Sequence, residues 1–198
     1  MSVTSNPFGT MSVQLRHHRF SVEAYDEMVA HGILTSDDRV ELLAGEIVEM
    51  SPIGPPHNSC VLRLTQFFSL ALGKRAVVGV QSPIVLPPDS EPEPDIAILQ
   101  ARDDFYAAAH PRPGDILLLI EVADSSLLFD RVVKLPLYAA AGIVEVWIVD
   151  LGAKAIEVYT LPEQGRYATH HVVRGDTTIV PTALPELSVH MRDVLGPG

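Results

Sequence analysis

Residues 116–134 read ILLLIEVADSSLLFDRVVK. Ile116 to Ile120 is an unbroken apolar run, long enough for a strand buried on both faces. It leads into Glu121. A carboxylate closing such a strand is costly to desolvate unless a metal, a cation or hydrogen-bond donors meet it. ADSS then supplies a polar loop with two hydroxyls, and Asp130 opens a helical segment that carries Lys134. One carboxylate thus closes a buried strand, and one ammonium lies on the helix that follows. Strand ends of this kind are where α/β proteins keep their chemistry.

Working outward, the spacing of apolar residues predicts a helix over Val22–His31, with Ser21 as its N-cap and Gly32 as its stop. Val40–Met50 reads as a hairpin turning at Ala44-Gly45, with Glu41 and Glu46 flanking the turn. A helix starting at His57 and stopped by Gly73 carries Cys60, Val61, Leu64, Phe67 and Phe68 at helical spacing. Val77–Leu86 reads as a strand bent at Pro83, and Asp95–Leu99 as a shorter one after EPEP. Ile116–Val122 is the central strand. Asp130–Ala141 is helical, and Pro136 inside it should kink it. Ile143–Asp150 is a further strand, Ala155–Thr160 and Tyr167–Val173 form a hairpin, and Thr177–Val180 adds a short strand. This order gives an α/β fold with a mixed sheet. An arm over residues 1–17 precedes one domain over 18–198.

The chain has 198 residues and a net charge of -11. That charge argues against a broad basic surface, so any nucleic-acid contact must be local or helped by a cation. No apolar run approaches the roughly 20 residues that span a bilayer, and the N-terminus has no apolar core of a secretory signal. Cys60 is the one cysteine, which excludes an intramolecular disulfide and makes the cytoplasm the default location.

Side chains alternate along a strand, so Asp95, Ala97 and Leu99 share one face and Leu117, Leu119 and Glu121 another. If the two strands are neighbours, Asp95 approaches Glu121. Two close carboxylates repel, and a divalent cation bound through oxygen relieves them. Asp, Glu and a backbone carbonyl, with waters retained, suit Mg²⁺. Lys134 then helps to position a nucleophilic water or to stabilise charge on a phosphate. The chemistry is metal-assisted phosphodiester hydrolysis.

Plainer readings compete at each position. Asp130, Lys134 and Tyr138 stand at i, i+4 and i+8 on one helix face, which also allows a simple Asp130–Lys134 surface pair. Asp95 can cap the turn after Pro94, His57 can merely start its helix, and Glu41 and Glu46 can be solvated hairpin residues. Cys60 reads as core, and Trp147 as core or interface. For Glu121 the plain reading is weakest, because its setting is so apolar.

Pro94-Asp95 followed by Glu121 at the end of the next strand resembles the PD-(D/E)XK nuclease superfamily. More narrowly, the chain resembles the Uma-two family, described as putative restriction endonucleases. The similar stretches are VELLAGEIVEMSPIGPPH, EPEPDIAIL, HPRPGDILLLIEVADSSLLFDRVVKLPLYAAAGIVEVWIVD and IEVYT…GRY, which together cover about Phe20 to Leu195. The resemblance implies a restriction-endonuclease-like core, with a mixed sheet flanked by helices. It implies Asp95 and Glu121 as metal ligands; the main chain at Val122 as a further ligand, Mg²⁺ or Mn²⁺ as the ion and DNA as the substrate are the expectations that go with such a site. The superfamily lysine normally lies two residues after the glutamate, where this chain has Ala123; the family pattern moves it to the following helix, at Lys134. An added acidic residue from an early element falls to Glu41 or Glu46, with Glu41 preferred. The family's Tyr-Trp is Val146-Trp147 here, a change expected to be structural.

Cutting both strands of a duplex favours a homodimer, with the apolar C-terminal strands as its expected interface and Trp147 nearby. A catalytically silent binding or assembly module is the competing class, favoured by the charge of -11. A hydrolase of another phosphate ester is the third.

Overall fold

The computed structural model describes residues 17–35 and 37–196; all but the last residue of the expected arm lie outside them. Helix α1 (Val22–Ala30) starts at Ser21, whose hydroxyl accepts from the Ala24 N–H at 3.3 Å. Strands β1 (Val40–Leu43) and β2 (Glu46–Glu49) pair antiparallel around Ala44-Gly45, and both turn residues have positive φ. A Cβ on Gly45 would lie 2.6 Å from Cβ of Arg19, so this tight turn against residue 19 takes glycine. Helix α2 (Pro55–Leu72) begins two residues before His57, because proline is already set for the first helical turn.

The main sheet has six strands, in the order β3 (Ala76–Val80), β4 (Ile96–Gln100), β5 (Ile116–Ala123), β6 (Glu145–Asp150), β7 (Ala155–Glu163) and β8 (Arg166–Arg174). Only β5 and β6 run parallel; the other neighbours are antiparallel. A parallel pair needs a crossover, and three continuous helical segments supply it: α3 (Leu127–Phe129), a π turn over Asp130–Lys134, and α4 (Leu135–Ala140). A small pair, β9 (Thr178–Ile179) with β10 (Val189–His190), and helix α5 (Met191–Leu195) complete the chain. The sheet is mixed and flanked by helices, as the apolar patterning requires. Among the described residues no helix is long and apolar enough to cross a membrane.

Two cores sandwich the sheet. On one face Cys60, Leu64 and Phe68 of α2 pack with Ile98, Ile120, Trp147 and Val149. On the other, Tyr138 and Ile143 pack with Ala97, Leu119 and Val146. Residues of both parities on β5 are therefore covered, which explains its unbroken apolar run. Trp147 is fully buried, and its indole N–H donates to Glu145 Oε1 at 2.6 Å. It is a core residue, which corrects the reading of Trp147 itself as interface.

A second correction concerns β3, which stops at Val80 instead of continuing to Leu86. Prolines at 83, 87 and 88 have no N–H to donate to a ladder. The chain leaves the sheet at Gln81, where φ is 45°, and folds back so that Leu86 bridges Ser90 and Leu42 bridges Glu91. This loop buries Glu91 with Oε2 lacking a partner among the described residues. Burial, reinforced by the charges of Asp26 and Glu93, pushes its carboxyl from an ordinary 4.5 up to about 7. The folded state thus holds a proton that the unfolded chain releases near 4.5, and this contribution is lost as pH rises through about 7. Glu91→Gln should raise the melting temperature by several degrees at pH 8 and hardly at all at pH 5. Equal shifts at the two pH values, measured by calorimetry, would refute the assignment.

Candidate active site

Register places Ile96 opposite Ile120 and Ala97 opposite Leu119, so Asp95 and Glu121 face each other across the β4–β5 pair. The Asp95 N–H lies 3.4 Å from Glu121 Oε2. Both side chains border a cavity of about 240 Å³, with Glu41, Glu93, Asp130 and Lys134 around it.

Each carboxylate is held from a different part of the chain. Asp95 Oδ2 accepts from the Val122 N–H at 2.8 Å and contacts His57 Nε2 at 3.0 Å, in the first turn of α2. Asp95 Oδ1 accepts from the Gln81 amide at 3.2 Å. The early end of β3 therefore has a consequence here, since it turns Gln81 toward the site. Glu121 Oε1 accepts from the Tyr138 hydroxyl and lies 3.3 Å from the Lys134 ammonium. Lys134 is also 3.2 Å from Glu41 Oε2, and its side chain is only 8% exposed.

The plainer reading, a surface pair of Asp130 with Lys134, finds no such pair among the described residues. Lys134 points inward to two carboxylates, and Asp130 accepts instead from the Ser126 hydroxyl at 2.7 Å. Over eight positions an α-helix rotates roughly 80° away from a starting residue. The wide π turn interrupts that drift, and Asp130, Lys134 and Tyr138 all finish buried. Pro136 lies two residues after the π turn, inside the continuous helical run, where it has no N–H to give to the ladder. On the π turn, Arg131 pairs with buried Glu157 of β7, and the Tyr159 hydroxyl donates to that carboxylate at 2.6 Å. Burial alone would raise the Glu157 carboxyl, but these donors outweigh it and hold it below its ordinary value.

The electrostatics are those of too many acids around one buried cation. Burial lifts Glu121 to about 8; Asp95 and Asp130 add to the lift, while Lys134 and Tyr138 oppose it. Burial also lifts Glu93 and Asp130. Burial by itself would lower Lys134, but Glu121, Glu41 and Asp130 outweigh it, and the ammonium stays protonated above its ordinary range. The hydrogen bond with Asp95 raises His57.

Among the described residues no three His, Cys, Asp or Glu side chains converge as a metal cage. An all-oxygen pair still fits Mg²⁺, which is commonly held by one or two carboxylates together with waters and substrate phosphate. The excess of buried negative charge is the observation that suits a cation there.

Of the two hairpin acids, Glu41 enters the site and accepts the Glu93 N–H at 3.1 Å, whereas Glu46 is exposed and pairs with Arg19. Reading Glu41 as a solvated hairpin residue is corrected by its burial. The reading of His57 as only a helix start is likewise corrected by its bond to Asp95. Sequence reasoning passed over Glu93, Gln81 and the role of Tyr138. Tyr138 carried a usable signal, its place at i+8 from Asp130; Gln81 carried none, because its orientation comes from the loop behind it.

Residues 22–192 match a family model described as "Uma2: Putative restriction endonuclease". Among solved structures, a chain described as a putative nuclease belonging to DUF820 from Anabaena variabilis ATCC 29413 superposes with a TM-score of 0.70. It is 14% identical, and the match covers 89% of this chain and 97% of that one. At that identity the likeness speaks for the fold. No curated protein matches.

Proposed function

This chain belongs to the Uma2 family of putative restriction endonucleases, and from that premise we propose that it is a metal-dependent endonuclease hydrolysing DNA phosphodiester bonds. The observation that carries the reading is the facing pair Asp95 and Glu121, with Lys134 buried between Glu121 and Glu41. Asp95, Glu121 and the Val122 carbonyl would hold Mg²⁺ or Mn²⁺. A bound divalent ion supplies Lewis-acid polarisation of a phosphate oxygen and a lowered pKa for a bound water.

This chain's own groups do the rest. The Val122 N–H, Gln81 and His57 fix the orientation of Asp95, and Tyr138 fixes Glu121. Lys134, oriented by Glu41, presents its ammonium where charge builds on the reacting phosphate. Being already positioned, it needs no reorganisation at the moment of reaction.

Because a duplex has two strands, we propose a homodimer in the cytoplasm. Its interface is placed on β8, a nine-residue edge strand of mostly exposed residues. Light scattering at micromolar concentration checks this, and a monomer mass removes it.

The functional test is incubation of supercoiled plasmid and single-stranded DNA with Mg²⁺, Mn²⁺ or EDTA. Cleavage with either ion and none in EDTA is expected. Intact DNA under every condition would overturn the reading in favour of a silent binding module, which the charge of -11 favours.

A further inference from the structure

We propose that the hollow between the first turn of α2, the β6–β7 turn and α5 seats the DNA backbone beside the reacting phosphate. The proposal rests on the nuclease reading above and names the surface that holds the substrate.

In a chain of net charge -11, Arg63, Lys154 and Arg192 converge on this one hollow of about 470 Å³. Asp176 is the carboxylate among its lining residues. None of the three cations lies within 4.0 Å of a carboxylate among the described residues; Arg39, Lys74, Arg112, Arg166 and Arg174 are unpaired too, but none of these lines the hollow, and Arg19, Arg75, Arg102, Arg131 and Lys134 are paired. Arg63 is braced without being neutralised: Nε donates to the Val194 carbonyl at 3.0 Å and Nη1 to the Ser59 hydroxyl at 2.7 Å. Leu151, Met191 and Leu195 contribute apolar surface, which suits the sugar edge of a backbone while the cations meet its phosphates.

The position relative to the site is fixed by two elements. In the opening of α2, Gly54 and His57 border the acidic cavity, while Pro56 and Ser59 border the hollow. The Leu151 N–H donates to the Ala123 carbonyl at 3.0 Å, so the hollow begins one strand over from the end of β5. Neighbouring strands lie about 4.8 Å apart, and successive phosphates of one DNA strand rise about 3.4 Å along the axis. In the proposed placement, a strand whose scissile phosphate meets Lys134 carries its next phosphates past Arg63, Lys154 and Arg192. Acids handle the reacting phosphate through a cation, and unpaired bases hold its neighbours. This division lets an acidic protein bind nucleic acid locally.

The test is fluorescence anisotropy of a short labelled duplex in EDTA, where no cleavage competes, over a range of NaCl concentrations. Lys154→Ala/Arg192→Ala should weaken binding about tenfold and lower the slope of log Kd against log salt by roughly 1 per cation removed. Both side chains are exposed, so the melting temperature should not change. Arg63→Gln should weaken binding similarly, with its fold checked by the same melt. Wild-type affinity and slope in the double variant would overturn the proposal, as would a wild type that does not bind the duplex. Plasmid cleavage with Mg²⁺ is read separately. Cleavage with binding indifferent to these residues sinks the patch and spares the nuclease; binding through them without cleavage does the reverse.

Discussion

Asp95→Asn and Glu121→Gln should each lower DNA cleavage by roughly two to three orders of magnitude or more, in line with the loss of a group acting on transition-state charge. Each keeps its shape and loses one negative charge at the β4–β5 pair. If the two hold the ion together, calorimetric titration should show Mg²⁺ affinity collapse in both. Stability should not fall with it. Burial already pushes Glu121 toward its neutral form, so a neutral amide suits the position. Nor does Glu121→Gln strand Lys134, which keeps Glu41 at 3.2 Å. A purely structural Glu121–Lys134 pair predicts the opposite, a lower melting temperature with unchanged Mg²⁺ affinity. Unchanged affinity in both variants would remove the metal-site reading.

Lys134→Met should do to the fold what the carboxylate variants do not. It removes the buried cation that Glu41 and Glu121 share, and unpaired buried charge of this kind costs about 3–5 kcal/mol. For a chain of this size the melting temperature should fall by on the order of 10 °C in EDTA. Mg²⁺ should recover part of that loss, because it restores positive charge among the same acids. Cleavage should fall by about two to three orders of magnitude even at saturating Mg²⁺. Adding Glu121→Gln should return some stability to Lys134→Met, since the two residues are in contact and their effects are not additive. A Lys134→Met protein that melts like wild type in EDTA would refute the account of a cation neutralising buried acids.

These expectations depend on how Lys134 is carried. Arg131, three residues earlier, is fastened to Glu157 on β7, and the π turn between them widens the helix where it crosses the sheet. The lysine is therefore set between two anchors, the β7 ion pair and the Glu121–Tyr138 contact, rather than hanging from a free helix face.

The sequence alone determined which segments are strands and which face of its strand each carboxylate takes; that β4 and β5 are neighbours, so that Asp95 meets Glu121, was decided by the assembled sheet. A run of apolar residues with no polar alternation needs cover on both faces, which made Ile116–Ile120 interior. Period-two alternation then placed Asp95 with Ala97, and Glu121 with Leu119, on matching faces. These are local rules, carried by a few neighbouring residues. Only the tertiary structure decided between Glu41 and Glu46, because both flank the same turn and differ in which side docks against Glu91 and Glu93. Only it turned Lys134 from Asp130, its neighbour on the helix, to Glu41 and Glu121, and turned Gln81 and His57 onto Asp95. Those choices depend on how loops and helices from distant parts of the chain meet over the strand ends. The charge left unpaired there is a property of the assembled surface, which no single stretch of residues contains.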